Sequence, residues 1–172
     1  MSDDKRAPRA HAQYGPTAQT VAANILRLRT ARSLSTYGLS RLLEGAGRTI
    51  APSSITKIEQ CRRQVTVDEL MALAVVLNVN PAMLLLPNTV QGDTELTGAG
   101  QVTAAAAWDW FRKDMPLRTP PDDDGSAIVE FRLNLPRGIR KFNITSPAGR
   151  RAALESDRES LDGGEPDGPS VD

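Results

Sequence analysis

Cysteine and histidine are almost missing from this chain, with Cys61 and His11 the single copies of each among 172 residues. One of each makes neither a disulfide nor a His/Cys metal cluster, and it leaves few nucleophile-plus-base arrangements. Aromatics are scarce at 4%. The longest apolar run, Leu70 to Leu77, falls far short of the ~20 residues that cross a bilayer. Met1 to Tyr14 is polar and mixed in charge, with no apolar centre of the kind a secretory signal carries, so the expected location is cytoplasmic and no membrane partner is expected. No phosphate loop, metal-ligand spacing or paired-carboxylate site is legible. The sequence therefore gives no reason to expect an enzyme, and no catalytic residue, metal or cofactor is assigned.

Net charge is absent too, 21 basic residues balancing 21 acidic ones, but the balance is not local. Residues 18–64 hold eight cations (Arg27, Arg29, Arg32, Arg41, Arg48, Lys57, Arg62, Arg63) against Glu44 and Glu59, a local net of +6. Residues 152–172 hold seven acids against Arg158, a local net of −6. Glycine and proline are divided in the same way, five of 25 lying within residues 18–86. A packed, cationic unit is expected in the first half.

Residues 1–17, with Pro8, Gly15 and Pro16, read as a flexible arm. Val21, Ile25 and Leu28 then recur at spacings of four and three, the period of a helix over about 18–31. Ser35 has the place of an N-cap, with Leu34 and Leu39 at staple spacing, for a second helix from Thr36 to Glu44 that Gly45, Ala46 and Gly47 end. Pro52 suits the first turn of a third helix to about Gln60, with Ile55 and Ile58 inward. Thr66 and Glu69 have capping-box spacing, between Val65 and Leu70, for a fourth helix to about Leu77. Asn80 and Pro81 introduce a short fifth helix, Met83 to Leu86, which Pro87 closes. The expected fold is all-α, five short helices over residues 18–87.

Three stretches in this order, Leu-Arg-Thr-Ala-Arg-Ser-Leu-Ser (28–35), Ser-Ser-Ile-Thr-Lys-Ile-Glu (53–59) and Leu-Met-Ala-Leu-Ala-Val-Val-Leu-Asn-Val-Asn-Pro (70–81), resemble the lambda-repressor-like (Xre/Cro type) helix-turn-helix family. Two departures stand out: the link from Leu39 to Ile55 is about five residues longer than the family's, and Gly38 sits inside helix two at a cost of ~1 kcal/mol relative to alanine. The resemblance implies a bacterial-type, sequence-specific DNA-binding transcriptional regulator, such as a repressor, whose third helix enters the major groove. It places Pro52, Ser53, Ser54 and Lys57 at the base edges, with phosphate contact alone as the other reading of Lys57. It places Thr36 at a DNA phosphate, against a plain helix-start threonine, and the basic residues Arg41, Arg48, Arg62 and Arg63 are expected at phosphates too, against a plain solvated charged face. Arg29 and Glu59 match a structural ion pair that ties helix one to the end of helix three. Double-stranded DNA is the implied partner, and a homodimer on DNA is compatible with it. The rival reading is a protein-interaction module, coactivator or antitoxin-like, that keeps the bundle without operator binding.

Beyond Pro87 the periodicity weakens. Residues 88–151 read as a poorly ordered extension with a helix over 104–112 and, from the alternation at Ile128 to Leu133, a strand over 127–135. Trp108, Trp110 and Phe111 are candidates either for a protein-partner anchor or for a helix folding back. Residues 120–125 (PPDDDG), 163–170 and the acidic tail 152–172 read as disordered. Cys61 is either a small linker residue or a redox switch in a basic setting; His11 has no assigned role.

Overall fold

A computed structural model of the chain describes residues 14–140, together with 151, 154 and 155. These are mostly helical, with one small two-stranded sheet. The described residues fall into two compact units, divided between Trp108 and Asp109. Most of the expected arm (residues 1–13, His11 included) and of the acidic tail lies outside the described residues.

In the first unit α1 (Pro16–Ala31) begins two residues earlier than the apolar period implies, because Pro16 occupies the first turn, where its missing N–H has no helical acceptor. Residues 16 and 17 are thus helix rather than arm. The α2 helix (Thr36–Gly45) is capped by Ser35, whose Oγ accepts the Gly38 N–H at 3.0 Å. Next come α3 (Pro52–Glu59), α4 (Val67–Val76) and α5 (Ala82–Leu85). At the head of α4 the capping box is complete: Thr66 Oγ1 accepts from Glu69 N–H, and Glu69 Oε2 accepts from Thr66 N–H. Ile25, Leu39, Leu43, Ile55, Ile58 and Leu73 are fully buried where these helices meet. Each contributes ~1.5–3 kcal/mol of apolar transfer, the largest favourable term in the unit.

Four helix ends share one device. Ser33, Gly47, Cys61 and Asn78 adopt φ of 54°, 78°, 51° and 48°. After each, the next N–H reaches back five residues: Leu34 to Arg29 O (3.1 Å), Arg48 to Leu43 O (2.9 Å), Arg62 to Lys57 O (2.7 Å) and Val79 to Ala74 O (2.9 Å). These are Schellman ends, and three of the four place a residue with a side chain where glycine is unstrained. The long link after α2 is anchored at its far end as well, since Ile50 is buried and its carbonyl accepts the Ser40 hydroxyl at 2.7 Å.

The unit does not stop at Pro87. A hairpin of β1 (Asp93–Leu96) and β2 (Gly100–Thr103) pairs antiparallel, Asp93 opposite Thr103 and Leu96 opposite Gly100. Leu96, Ala104 and Ala107 are buried, and Trp108 Nε1 donates to Pro87 O at 3.0 Å. The poorly ordered extension is therefore corrected: residues 93–108 are built into the helical unit. Two threonines clasp the hairpin to α1. Thr97 N–H donates to Thr17 Oγ1 at 2.9 Å, and Thr17 N–H to Thr97 Oγ1 at 3.4 Å. Gly15 makes room for this, because a Cβ there would stand 2.8 Å from Thr97 Oγ1. Deeper in, the buried amide of Asn24 donates to Leu84 O (3.1 Å) and Leu86 O (2.8 Å), which ties α1 to α5.

The α6 helix (Ala104–Phe111) accounts for the helix expected over 104–112 and carries the chain into the second unit. There, α7 (Ser126–Leu133) replaces the expected strand over 127–135. The reason is local: Asp123 Oδ1 accepts from Ser126 Oγ (3.2 Å) and Ala127 N–H (3.0 Å), and Asp124 Oδ1 accepts from Ser126 N–H (3.0 Å). The acid run read as disorder is a helix start, and it satisfies N–H groups that a strand would have had to pair with a neighbour.

Candidate functional site

The α3 helix and its surroundings gather most of the residues singled out in the sequence. Ile55 and Ile58 are 1% and 2% exposed, so the opposite side of α3 must face outward. Ser53, Thr56, Lys57 and Gln60 are exposed there, at offsets of three, four and seven from Ser53, which define one helical face. Pro52 and Ser54 are half-buried and stand less far out than the sequence suggested. Thr56 and Gln60 were not singled out, although the same spacing from Ser53 points to both. The Thr56 hydroxyl donates to Pro52 O at 3.1 Å, which leaves its lone pairs outward.

The position of α3 is set at its end by Arg29. Its Nε donates to Glu59 Oε1 at 2.5 Å and its Nη2 to Glu59 Oε2 at 2.8 Å, while Nη1 donates to Leu34 O at 2.7 Å. One guanidinium thus holds α1, the turn into α2 and the last residue of α3. The side chains are 15% and 7% exposed, and the hydrogen bond to Glu59 raises the Arg29 pKa further above its ordinary value. The charge on Arg29 is permanent.

The flanking cations fall into two groups. Arg63 is turned inward: its guanidinium meets Glu69 in two bonds of 3.1 and 2.6 Å, and Nη1 also donates to Gln64 O. Burial pushes the Glu69 carboxyl up, but the hydrogen bonds from Arg63 and the Thr66 N–H, with the charges of Arg63 and Arg48, more than offset it and hold the pKa below the ordinary 4.5. Half-buried Arg48 donates to Thr66 Oγ1 at 3.4 Å and lies 3.9 Å from Asp68. These two arginines brace the start of α4. By contrast, among the described residues the exposed Arg41 and Lys57 side chains have no partner, and the Arg62 side chain donates only to Gln60 Oε1. Thr36, in the first turn of α2, is half-buried.

Cys61 is half-buried at the left-handed end of α3, a structural position where its N–H donates to Ile58 O at 2.8 Å. Among the described residues no three His, Cys, Asp or Glu side chains group as metal ligands do, and no helix is long and apolar enough to cross a membrane. Comparison with known proteins found no matching family model, curated protein or solved structure.

Proposed function

We propose that the first unit is a helix-turn-helix domain that binds double-stranded DNA in a sequence-specific way and acts as a transcriptional regulator, with α3 as the recognition helix. One observation carries this reading: α3 is sealed to the core through two isoleucines and pinned by Arg29 at one end, yet presents an outer face of only hydroxyls, an amide and an ammonium. Such a face has no packing role and holds the donors and acceptors that base edges offer in the major groove. Lys57 donates to guanine O6 or N7; Ser53, Thr56 and Gln60 pair with several bases. Arg41 and Arg62, which no carboxylate neutralises among the described residues, serve the phosphates along with Thr36, whereas Arg48 and Arg63 act first on the fold. The motif resemblance over residues 28–35, 53–59 and 70–81 supports the same reading, and dimerisation on DNA would double the contacts.

A second reading, an interaction module without operator DNA, is favoured by one feature. Val67, Met71 and Val75 form an exposed row along α4, at 80%, 48% and 68%. Salt separates the two readings. A DNA reader in which Arg41 and Arg62 neutralise about two phosphates per domain loses affinity for random duplex with a log–log slope near −2. Selection from a random duplex pool should also return an enriched motif. A flat salt response together with an unenriched pool overturns the DNA reading.

A further inference from the structure

In the second unit a small cleft of about 130 Å³ is lined by Arg112, Lys113, Asp114, Arg132 and Ile139. Its charges are unequally satisfied. Arg112 is held by two carboxylates, Nη2 donating to Asp109 at 2.8 Å and Nε to Asp114 at 3.0 Å. Arg132 meets no carboxylate among the described residues: Nη2 donates to Asp114 O at 3.1 Å, and its buried Nε has no hydrogen-bond partner there. Lys113 is exposed and its ammonium likewise has no partner among the described residues. Two acids therefore balance Arg112 and one neighbour, which leaves one positive charge in excess. A buried guanidinium N–H without an acceptor costs ~1–3 kcal/mol or more. An oxyanion that draws the guanidinium into the cleft offsets that cost.

We propose that this cleft binds a phosphate group, with the Arg132 guanidinium and the Lys113 ammonium as its donors. The guanidinium fork matches two phosphate oxygens, and the flexible lysine reaches a third. Arg112, already paired with Asp109 and Asp114, forms part of the wall. The volume sets the size of the ligand: it is well below the ~300–1,000 Å³ of pockets that enclose whole small molecules, so the cleft takes one phosphate group, either free or presented at the surface of a nucleic acid. This inference does not depend on the role given to α3.

The test uses the full-length protein and two probes: inorganic phosphate, titrated calorimetrically against sulfate-free chloride buffer of equal ionic strength, and a random DNA duplex at low salt. Lys113→Gln is the primary variant because the side chain is exposed; Arg132→Gln is the second, and Lys113→Arg should restore binding. Saturable phosphate binding that falls at least fivefold in both glutamine variants and returns in Lys113→Arg, with duplex affinity unchanged, identifies a free phosphate ligand. The same variants lowering duplex affinity at least twofold, with a salt slope shallower by about one, identify a nucleic-acid phosphate. Neither effect in either variant, or phosphate binding that survives both, overturns the proposal.

Discussion

Replacing Arg29 with alanine removes three hydrogen bonds at once, two to Glu59 and one to Leu34 O. Glu59, with its side chain 7% exposed, is left as a carboxylate with little water to replace its partner. Breaking a buried pair from one side costs ~3–5 kcal/mol. Because Arg29 itself is 15% exposed, water reaches part of the site and the lower end, about 3 kcal/mol, applies. Glu59→Ala should cost less, about 2–3 kcal/mol, since the guanidinium keeps its bond to Leu34 and can turn toward solvent. The double variant leaves no orphaned charge and should cost about 3–4 kcal/mol, a coupling of about 2 kcal/mol. Urea unfolding followed by far-UV circular dichroism measures all four corners of the cycle. With m near ~2 kcal/mol/M, Arg29→Ala shifts the midpoint by roughly 1.5 M. Arg29→Lys should recover less than half of the loss, because an ammonium cannot make the fork. Costs that add to within ~0.5 kcal/mol refute the reasoning.

Competition titrations with selected and random duplex should show Lys57→Ala losing ~1–3 kcal/mol of discrimination while Arg62→Ala weakens all sequences alike; equal losses for both duplexes in Lys57→Ala remove it from the base contacts. Glu69 binds protons less readily folded than unfolded, so its stabilising effect is complete above its ordinary 4.5 and is lost as pH falls through the lowered folded value. Melting temperatures taken between about pH 6 and pH 3 should therefore drop more in the wild type than in Glu69→Gln, and parallel curves contradict the pairing with Arg63. Cys61→Gly should raise stability by about 0.5–1 kcal/mol by relieving the left-handed backbone at the end of α3; a loss of stability would mean that the half-buried thiol contributes more by packing than its backbone costs.

The five helices of the first unit were legible because apolar period and start signals agree: Ser35 and Thr66 cap α2 and α4, Pro52 opens α3, and Ile55 with Ile58 fixes its buried side. Pairing is where sequence reading met its limit. The hairpin escaped notice because each strand has four residues, mostly polar, and gains its place from Thr17, 80 positions away. The Asn24 link to α5 is equally silent, since an asparagine within a helical period carries no sign of the two carbonyls it meets. The strand expected at 127–135 rested on the alternation from Ile128 to Leu133, while the acid run before it was read as disorder although Asp123 and Asp124 accept the first N–H groups of α7. Among the site residues, Ser53 and Lys57 stand outward on α3 as expected, whereas Pro52 and Ser54, placed there by the resemblance, are half-buried, and Thr56 and Gln60 on the same face were missed. The division of the arginines was not legible, because nothing in the order Arg62, Arg63 tells which of the two will face Glu69.

The clasp between Thr17 and Thr97 also bears on how the protein emerges from a ribosome. The α1 helix is made first, yet the carbonyls that receive its buried Asn24 belong to residues 84 and 86, and the threonine that secures its first turn is residue 97. At ~5–20 residues per second, the first turn waits roughly 4–16 s for its partner. Until Leu84 is made, the apolar stripe of Val21, Ile25 and Leu28 lacks part of its cover, so a nascent chain stalled before residue 84 should present α1 to chaperones, while one released past residue 108 should not.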